Sequence, residues 1–167
     1  MIVKLLSNSR YNETNATASV VVPSGTQKAI FGFGSPSYTS LVSNTGVVAT
    51  DTTTVGTERN SLAAAGYGTD KAIFGYGLYP LYSITNLVSN IGVVATDTTG
   101  VGTARYGLAA AGYGTDKAIF GFGHNTGSPS TLYSMTNLVS NTGVVATDTT
   151  GVGTARYVLT AAGYSAT

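Results

Sequence analysis

The chain has no cysteine and no tryptophan, and only 9% of its residues are charged. Without cysteine, disulfides and thiolate metal centres are excluded. A typical soluble domain carries about 25% charged residues. A formal net charge of +1 leaves no basic surface to hold a phosphate backbone, so nucleic acid is not an expected partner. There is no acidic tail. No apolar run approaches the roughly 20 residues needed to span a bilayer as a helix, so no membrane insertion is expected. The opening Met1-Ile-Val-Lys-Leu-Leu-Ser-Asn8 has too short an apolar stretch to read as a secretory signal. A surface poor in charge and rich in Thr, Ser, Asn, Gly and Tyr repels its own copies weakly, which favours self-association.

Repetition fills the space that these absences leave. Lys28-Ala-Ile-Phe-Gly-Phe-Gly34 returns as Lys71-Ala-Ile-Phe-Gly-Tyr-Gly77 and as Lys117-Ala-Ile-Phe-Gly-Phe-Gly123. Leu41-Val-Ser-Asn-Thr-Gly-Val-Val-Ala-Thr-Asp51 returns in closely similar form at 87–97 and 138–148. The segment around Arg59 returns around Arg105 and Arg156. A repeat of about 46 residues implies stacked copies of one small unit, each covering its neighbour's apolar face. It divides the chain into a head (1–27) and repeats at 28–70, 71–116 and 117–167, the last incomplete at its C-terminal end.

Helical periodicity is nearly absent. The best local candidate, Leu108-Ala-Ala-Ala111, runs at once into Gly112 and Gly114. Short Val-, Ile-, Phe- and Tyr-bearing runs bounded by Gly, Asn, Asp and Ser read instead as strands. Each repeat offers four: 72–76, 85–89, 92–96 and 106–113 in the second copy. Gly114-Thr-Asp-Lys117 is a hairpin turn, with Gly and Asp expected to take positive φ. In the head, 17–22 mimics the fourth strand, and Ile2-Val-Lys-Leu-Leu6 reads as one more. Tyr157–Tyr164 repeats the fourth strand but has no Lys-Ala-Ile-Phe run after it. An exposed strand edge is a template for pairing.

The run from Arg105 to Gly123 resembles the kelch repeat of β-propellers: an Arg, a small-residue strand, a tight hairpin and an aromatic strand ending in glycines. The resemblance covers 28–164 and departs from the kelch pattern in two ways. Gly-Phe-Gly or Gly-Tyr-Gly stands in place of the double glycine, and the kelch Trp is missing. It is closest in character to divergent kelch-like repeats of microbial or phage type. It implies an all-β fold of tandem four-stranded antiparallel propeller blades and implies no kelch function. Three repeats and the head make about three and a half blades, and propellers close with about four to eight. Other chains are therefore expected to complete the array, as a closed ring or as an open filament or tube.

Candidate chemistry is sparse. His124, the only histidine, opens the longest of three unequal connections (35–40, 78–86 and 124–137), with no second ligand near it in sequence. It is expected to be a solvated loop residue. Asp51, Asp97 and Asp148 each stand eight residues before Arg59, Arg105 and Arg156. Three copies of such a pair suggest Asp capping turns and Arg bridging blades or bonding carbonyls, not catalysis. The Gly-Phe-Gly ends lack the Lys and helix of a phosphate loop. Asn12 and Asn15 match the glycosylation pattern, which arises often by chance in Asn- and Thr-rich chains.

The expectation is a non-enzymatic structural protein, extracellular or virion-associated, whose partner is itself. It needs no catalytic residue, cofactor or metal. The assembly residues are Ile2, Val3, Leu5 and Leu6 at one end and Tyr157, Leu159, Ala161 and Tyr164 at the other. The alternative is a propeller that binds a glycan or cell surface through a loop face of Tyr79, Tyr82, His124, Asn125 and Tyr133.

Overall fold

The computed structural model describes residues 28–164. Among them there is no helix, and every strand pairing is antiparallel. The elements are β1 (Ala29–Phe33), β2 (Tyr38–Val42), β3 (Thr52–Thr53), β4 (Ala63–Tyr67), β5 (Lys71–Gly77), β6 (Tyr82–Val88), β7 (Ala109–Tyr113), β8 (Lys117–Gly121) and β9 (Thr136–Val139). They form three sheets of three strands, β1-β2-β3, β4-β5-β6 and β7-β8-β9.

The repeats explain the registers. In the second sheet Ala63 pairs with Gly75 and Tyr67 with Lys71; in the third Ala109 pairs with Gly121 and Tyr113 with Lys117. The alanine runs form strands, the 108–111 helix candidate included. Small side chains let a neighbouring sheet approach closely. The turn between these strands takes positive φ at Gly68 and Thr69 (59° and 68°) and at Gly114 and Thr115 (57° and 71°). Asp70 and Asp116 therefore do not bear the strain assigned to them; the threonines do.

The sheets do not have four regular strands. The Gly-Val-Val-Ala-Thr run contributes isolated bridges, Val88 to Val94 and Val139 to Val145, instead of a ladder. Position 52, a short strand in the first repeat, is reduced to the bridges Thr85 to Thr98 and Thr136 to Thr149 in the next two. The first sheet starts at the Lys-Ala-Ile-Phe strand, so among the described residues the edge of β1 has no partner of the β4 kind.

Two apolar layers hold the sheets together. Phe33, Phe74, Val88 and Val94 pack between the first and second sheets. Ile73, Tyr76, Leu108, Phe120 and Val139 pack between the second and third. Each layer centres on an edge-to-face aromatic pair, Phe33 with Phe74 (centroids 5.1 Å apart) and Tyr76 with Phe120 (5.2 Å). Such pairs contribute about 0.5–1.5 kcal/mol beyond the area they bury.

Candidate interface: repeated joints with an open half at each end

The first joint is built around Arg59. The chain leaves the first sheet, turns at Gly56-Thr57 and carries Arg59 over the ring of Phe33, 4.3 Å from its centroid. The guanidinium then reaches the second sheet. Its Nε donates to the carbonyl of Tyr76 (2.7 Å) and its Nη2 to Oδ1 of Asn86 (2.7 Å), while Nη1 bonds the nearby carbonyl of Thr57 (3.0 Å). Asp97 accepts from the backbone N–H and hydroxyl of Thr57 and from Nδ2 of Asn86. A planar fork that both stacks and donates suits arginine and not lysine.

The second joint copies the first. Arg105 lies 4.3 Å over the Tyr76 ring, donates to the carbonyl of Phe122 (2.8 Å) and to Asn137 (2.7 Å), and stands 3.9 Å from Asp148. Asp148 accepts from Thr103 and Asn137. Arg59 and Arg105 are 1% and 0% exposed, and every donor described here has an acceptor, as buried charge requires. The expected structural role of the arginines as bridges between sheets is what these contacts show. The pairing differs from the spacing in sequence. Asp97 serves the Thr57–Arg59 loop and Asp148 the Thr103–Arg105 loop, not the arginines eight residues after them.

Electrostatics follow from this geometry. Burial raises the pKa of Asp97, but bonds from Thr57 and Asn86 and the charge of Arg59 outweigh it and hold the carboxyl below its ordinary value. Asp148 is held down in the same way by Thr103, Asn137 and Arg105. Burial pulls the Arg59 pKa down, opposed by Asp97.

The glycines mark the apposed surfaces. A Cβ on Gly32 would lie 3.0 Å from the tip of the Phe74 ring, and one on Gly75 would lie 2.8 Å from that of Phe120. Each sheet therefore offers a glycine dimple to the phenylalanine knob of the next.

Half of this joint is present at either end. On the third sheet Arg156 stacks over Phe122 at 4.1 Å, and its carbonyl accepts from Gly123 as those of Arg59 and Arg105 do from Gly34 and Gly77. Among the described residues its guanidinium bonds only its own loop at Thr154, and the residue is exposed. A Cβ on Gly153 would meet nothing among the described residues within 4 Å, whereas one on Gly56 or Gly102 would strike the Asn–Asp pair of the adjoining sheet. On the first sheet the counterpart knob, Phe31, is 65% exposed, against 4% for Phe74 and 0% for Phe120.

No protein-family model matches the chain, and no curated protein matches its sequence. The geometry alone therefore bears on what these ends do.

Tyr157–Tyr164 was expected as a fourth strand. It is placed like one but forms no ladder, and Tyr164 is 95% exposed. Val158 donates to the carbonyl of Gly107 as Gly107 does to that of Ser61, and Gly163 lies on the carbonyl of Gly112 as Gly112 lies on that of Gly66. Leu159 and Ala161 lie on this segment. Ile2, Val3, Leu5 and Leu6 lie outside the described residues. At the other end, a cleft of about 930 Å³ opens between β1 and the second sheet, lined by Lys28, Ala29, Ile30, Gly66 and Lys71.

His124, Asn125 and Tyr133 come together, with Asn125 Nδ2 donating to the Tyr133 hydroxyl (3.1 Å). Asn125 Oδ1 accepts from the N–H groups of Gly127 and Thr131, so this loop consumes its own polar groups. His124 is not a solvated loop residue. It is buried between the rings of Tyr106 (3.8 Å) and Tyr157 (4.1 Å), and burial lowers its pKa. Tyr79 is 71% exposed, beside a hollow lined by Glu58, Arg59 and Asn60; Tyr82 is half-buried on β6. Among the described residues no group of three His, Asp or Glu side chains is placed to hold a metal, and no helix is long and apolar enough to cross a membrane. The sequence reading expected the arginines to bridge blades but missed the asparagines (Asn86, Asn137) that join each arginine to its aspartate, although their constant place in the repeat carried the signal.

Proposed function

We propose that this chain is a non-enzymatic structural protein that assembles with its own copies by strand pairing between chains. The product is a closed propeller of four-stranded blades or an open filament. One observation supports this reading above the rest: among the described residues, the segment 157–164 holds the place of β4 and β7 without forming a ladder, and the edge of β1 has no strand of that kind. Residues 160–164 repeat the β4 and β7 positions, and the edge of β1 repeats the edges that β4 and β7 occupy on β5 and β8. The same register pairs Thr160 with Gly32, Ala162 with Ile30 and Tyr164 with Lys28 of a second copy.

Backbone hydrogen bonds supply the affinity of such strand addition and alternate side chains fix its register. The low charge of the chain keeps the repulsion between copies weak. Within the His124 loop, the Asn125 amide and the Tyr133 hydroxyl are paired with each other or with their own loop, which leaves fewer polar groups there for a ligand. Negative-stain microscopy of the full chain over a concentration series tests the reading. Rings or filaments that disappear on dilution are expected; uniform monomers at all concentrations refute it.

A further inference from the structure

Resting on that reading, we propose that a second copy docks head to tail through a specific inter-subunit joint. The Thr154–Arg156 loop and the Gly121 dimple of one chain close on Phe31, the Phe33 carbonyl, Ser40 and Asp51 of the next.

The joint exists twice within the chain, and its two halves are not alike. The sheet earlier in sequence provides the arginine loop, the aromatic platform and the glycine dimple. The later sheet provides the knob, the carbonyl and the acidic acceptor. The third sheet presents the complete first half: Arg156 already on the Phe122 ring, an uncovered Gly153 turn, and Gly121, whose Cβ would meet only Thr136. The first sheet presents the second half with one change, a serine at the asparagine position. Phe31 occupies the Phe74 position, Phe33 that of Tyr76, Ser40 that of Asn86 and Asp51 that of Asp97. Asp51 is exposed and accepts from the Ser40 hydroxyl, as Asp97 accepts from Asn86.

The chain's own head is the competing occupant of the first sheet's open face, and its sequence lacks the parts. Arg59 and Arg105 stand twelve residues before Lys71 and Lys117; twelve before Lys28 stands Ala16. Five before Lys28, in the place of Gly66 and Gly112, stands Pro23, which has no N–H to give a ladder. The third repeat keeps Thr154, Arg156 and Gly163 at the required spacing. A second copy therefore carries, in its third repeat, the parts that this face takes.

Unlike halves make the contact heterologous, so copies add in one direction and end in a ring or a filament. In the docked pair Arg156 donates to the Phe33 carbonyl and faces Asp51, Thr154 donates to Asp51, and Phe31 enters the Gly121 dimple edge-on to Phe122.

Analytical ultracentrifugation of full-length Arg156→Glu and Phe31→Asp separates the alternatives. Both residues are exposed, so both variants are expected to keep the wild-type circular dichroism spectrum. Each alone is expected to lose assembly by at least about tenfold in midpoint concentration, because a charge is left unpaired at the joint. An equimolar mixture is expected to give discrete heterodimers, since one intact half remains on each variant. Ala162→Pro, which removes an N–H from the pairing strand, tests the underlying reading separately. Loss of assembly in Ala162→Pro with unchanged assembly in Arg156→Glu and Phe31→Asp overturns the joint and keeps the strand pairing. A wild-type chain that stays monomeric overturns both. If Arg156→Glu unfolds, Phe31→Asp decides: wild-type assembly by that variant overturns the joint.

Discussion

Arg105 is a charge without exposure, and that fact sets what its neighbours must do. Its guanidinium has a carbonyl, an amide oxygen and a carboxylate around it, so loss of any one leaves buried donors uncompensated. Arg105→Lys keeps the charge and loses the fork. It is expected to cost about 2–4 kcal/mol, read as a lower midpoint in urea denaturation. Asp97 and Asp148 have folded pKa values below their ordinary ones. Their contribution is therefore complete above about pH 4 and falls away as the pH drops through the folded values. Thermal melts from pH 5 to pH 2 are expected to fall more steeply for the wild type than for Asp97→Asn/Asp148→Asn; parallel curves contradict the assignment. The hairpin threonines are strained for a different reason. A β-branched residue at positive φ is a genuine outlier, whereas Asn tolerates that region. Thr69→Asn and Thr115→Asn are each expected to stabilise by about 0.5–1 kcal/mol, raising the melting temperature by a few degrees.

Within a sheet, the strand that carries the aromatic knob also carries the glycine that receives the next one. In β5, Phe74 faces Gly32 of β1, and Gly75 receives Phe120 of β8. Gly75→Ala puts a methyl 2.8 Å from the Phe120 ring and is expected to destabilise by about 1–3 kcal/mol, with partial recovery on adding Phe120→Leu. An unchanged denaturation midpoint in Gly75→Ala contradicts the knob-and-dimple account. Much of this element scale was legible in sequence. The Lys-Ala-Ile-Phe strand, its hairpin and the absence of helix follow from Gly placement and from β-branched and aromatic runs. The third run, 92–96, reads as a strand because Val93 and Val94 are adjacent, apolar and β-branched. The ladder stops at one bridge because Ser89 caps a tight turn there, its hydroxyl accepting from the Val93 N–H while the Ser89 N–H donates to the Val93 carbonyl. The Asp–Arg spacing did not show which aspartate serves which arginine loop, for a physical reason. A period of eight residues describes the chain, whereas the joint is made by side chains from successive repeats.

At the scale of the whole molecule, the strength of the proposed assembly turns on how the first repeat departs from the others. His124 anchors the departing C-terminal segment by stacking on Tyr157, and burial lowers its pKa. The neutral ring is the form that the folded chain favours. This contribution is whole above about pH 6.5 and is lost as the pH falls through the lower, folded value. Titration by proton NMR is expected to give His124 a lower pKa in the wild type than in Tyr157→Ala. The first repeat also carries Ser40 where Asn86 and Asn137 each join an arginine to an aspartate. A serine hydroxyl reaches Asp51 but cannot present a carbonyl to Arg156 while donating to the carboxylate with a separate amide. The proposed inter-chain joint would thus be one charge-assisted hydrogen bond poorer than the two inside the chain. Such a bond contributes about 1.5 kcal/mol or more, which is roughly tenfold in an association constant. Ser40→Asn rebuilds the internal geometry at the docking face alone. It is expected to lower the concentration at which assembly is half complete by about tenfold in sedimentation, and to leave the unfolding midpoint of dilute, unassembled protein nearly unchanged. A variant that melts higher without associating more tightly would place the asparagine's effect inside the first sheet and not between chains.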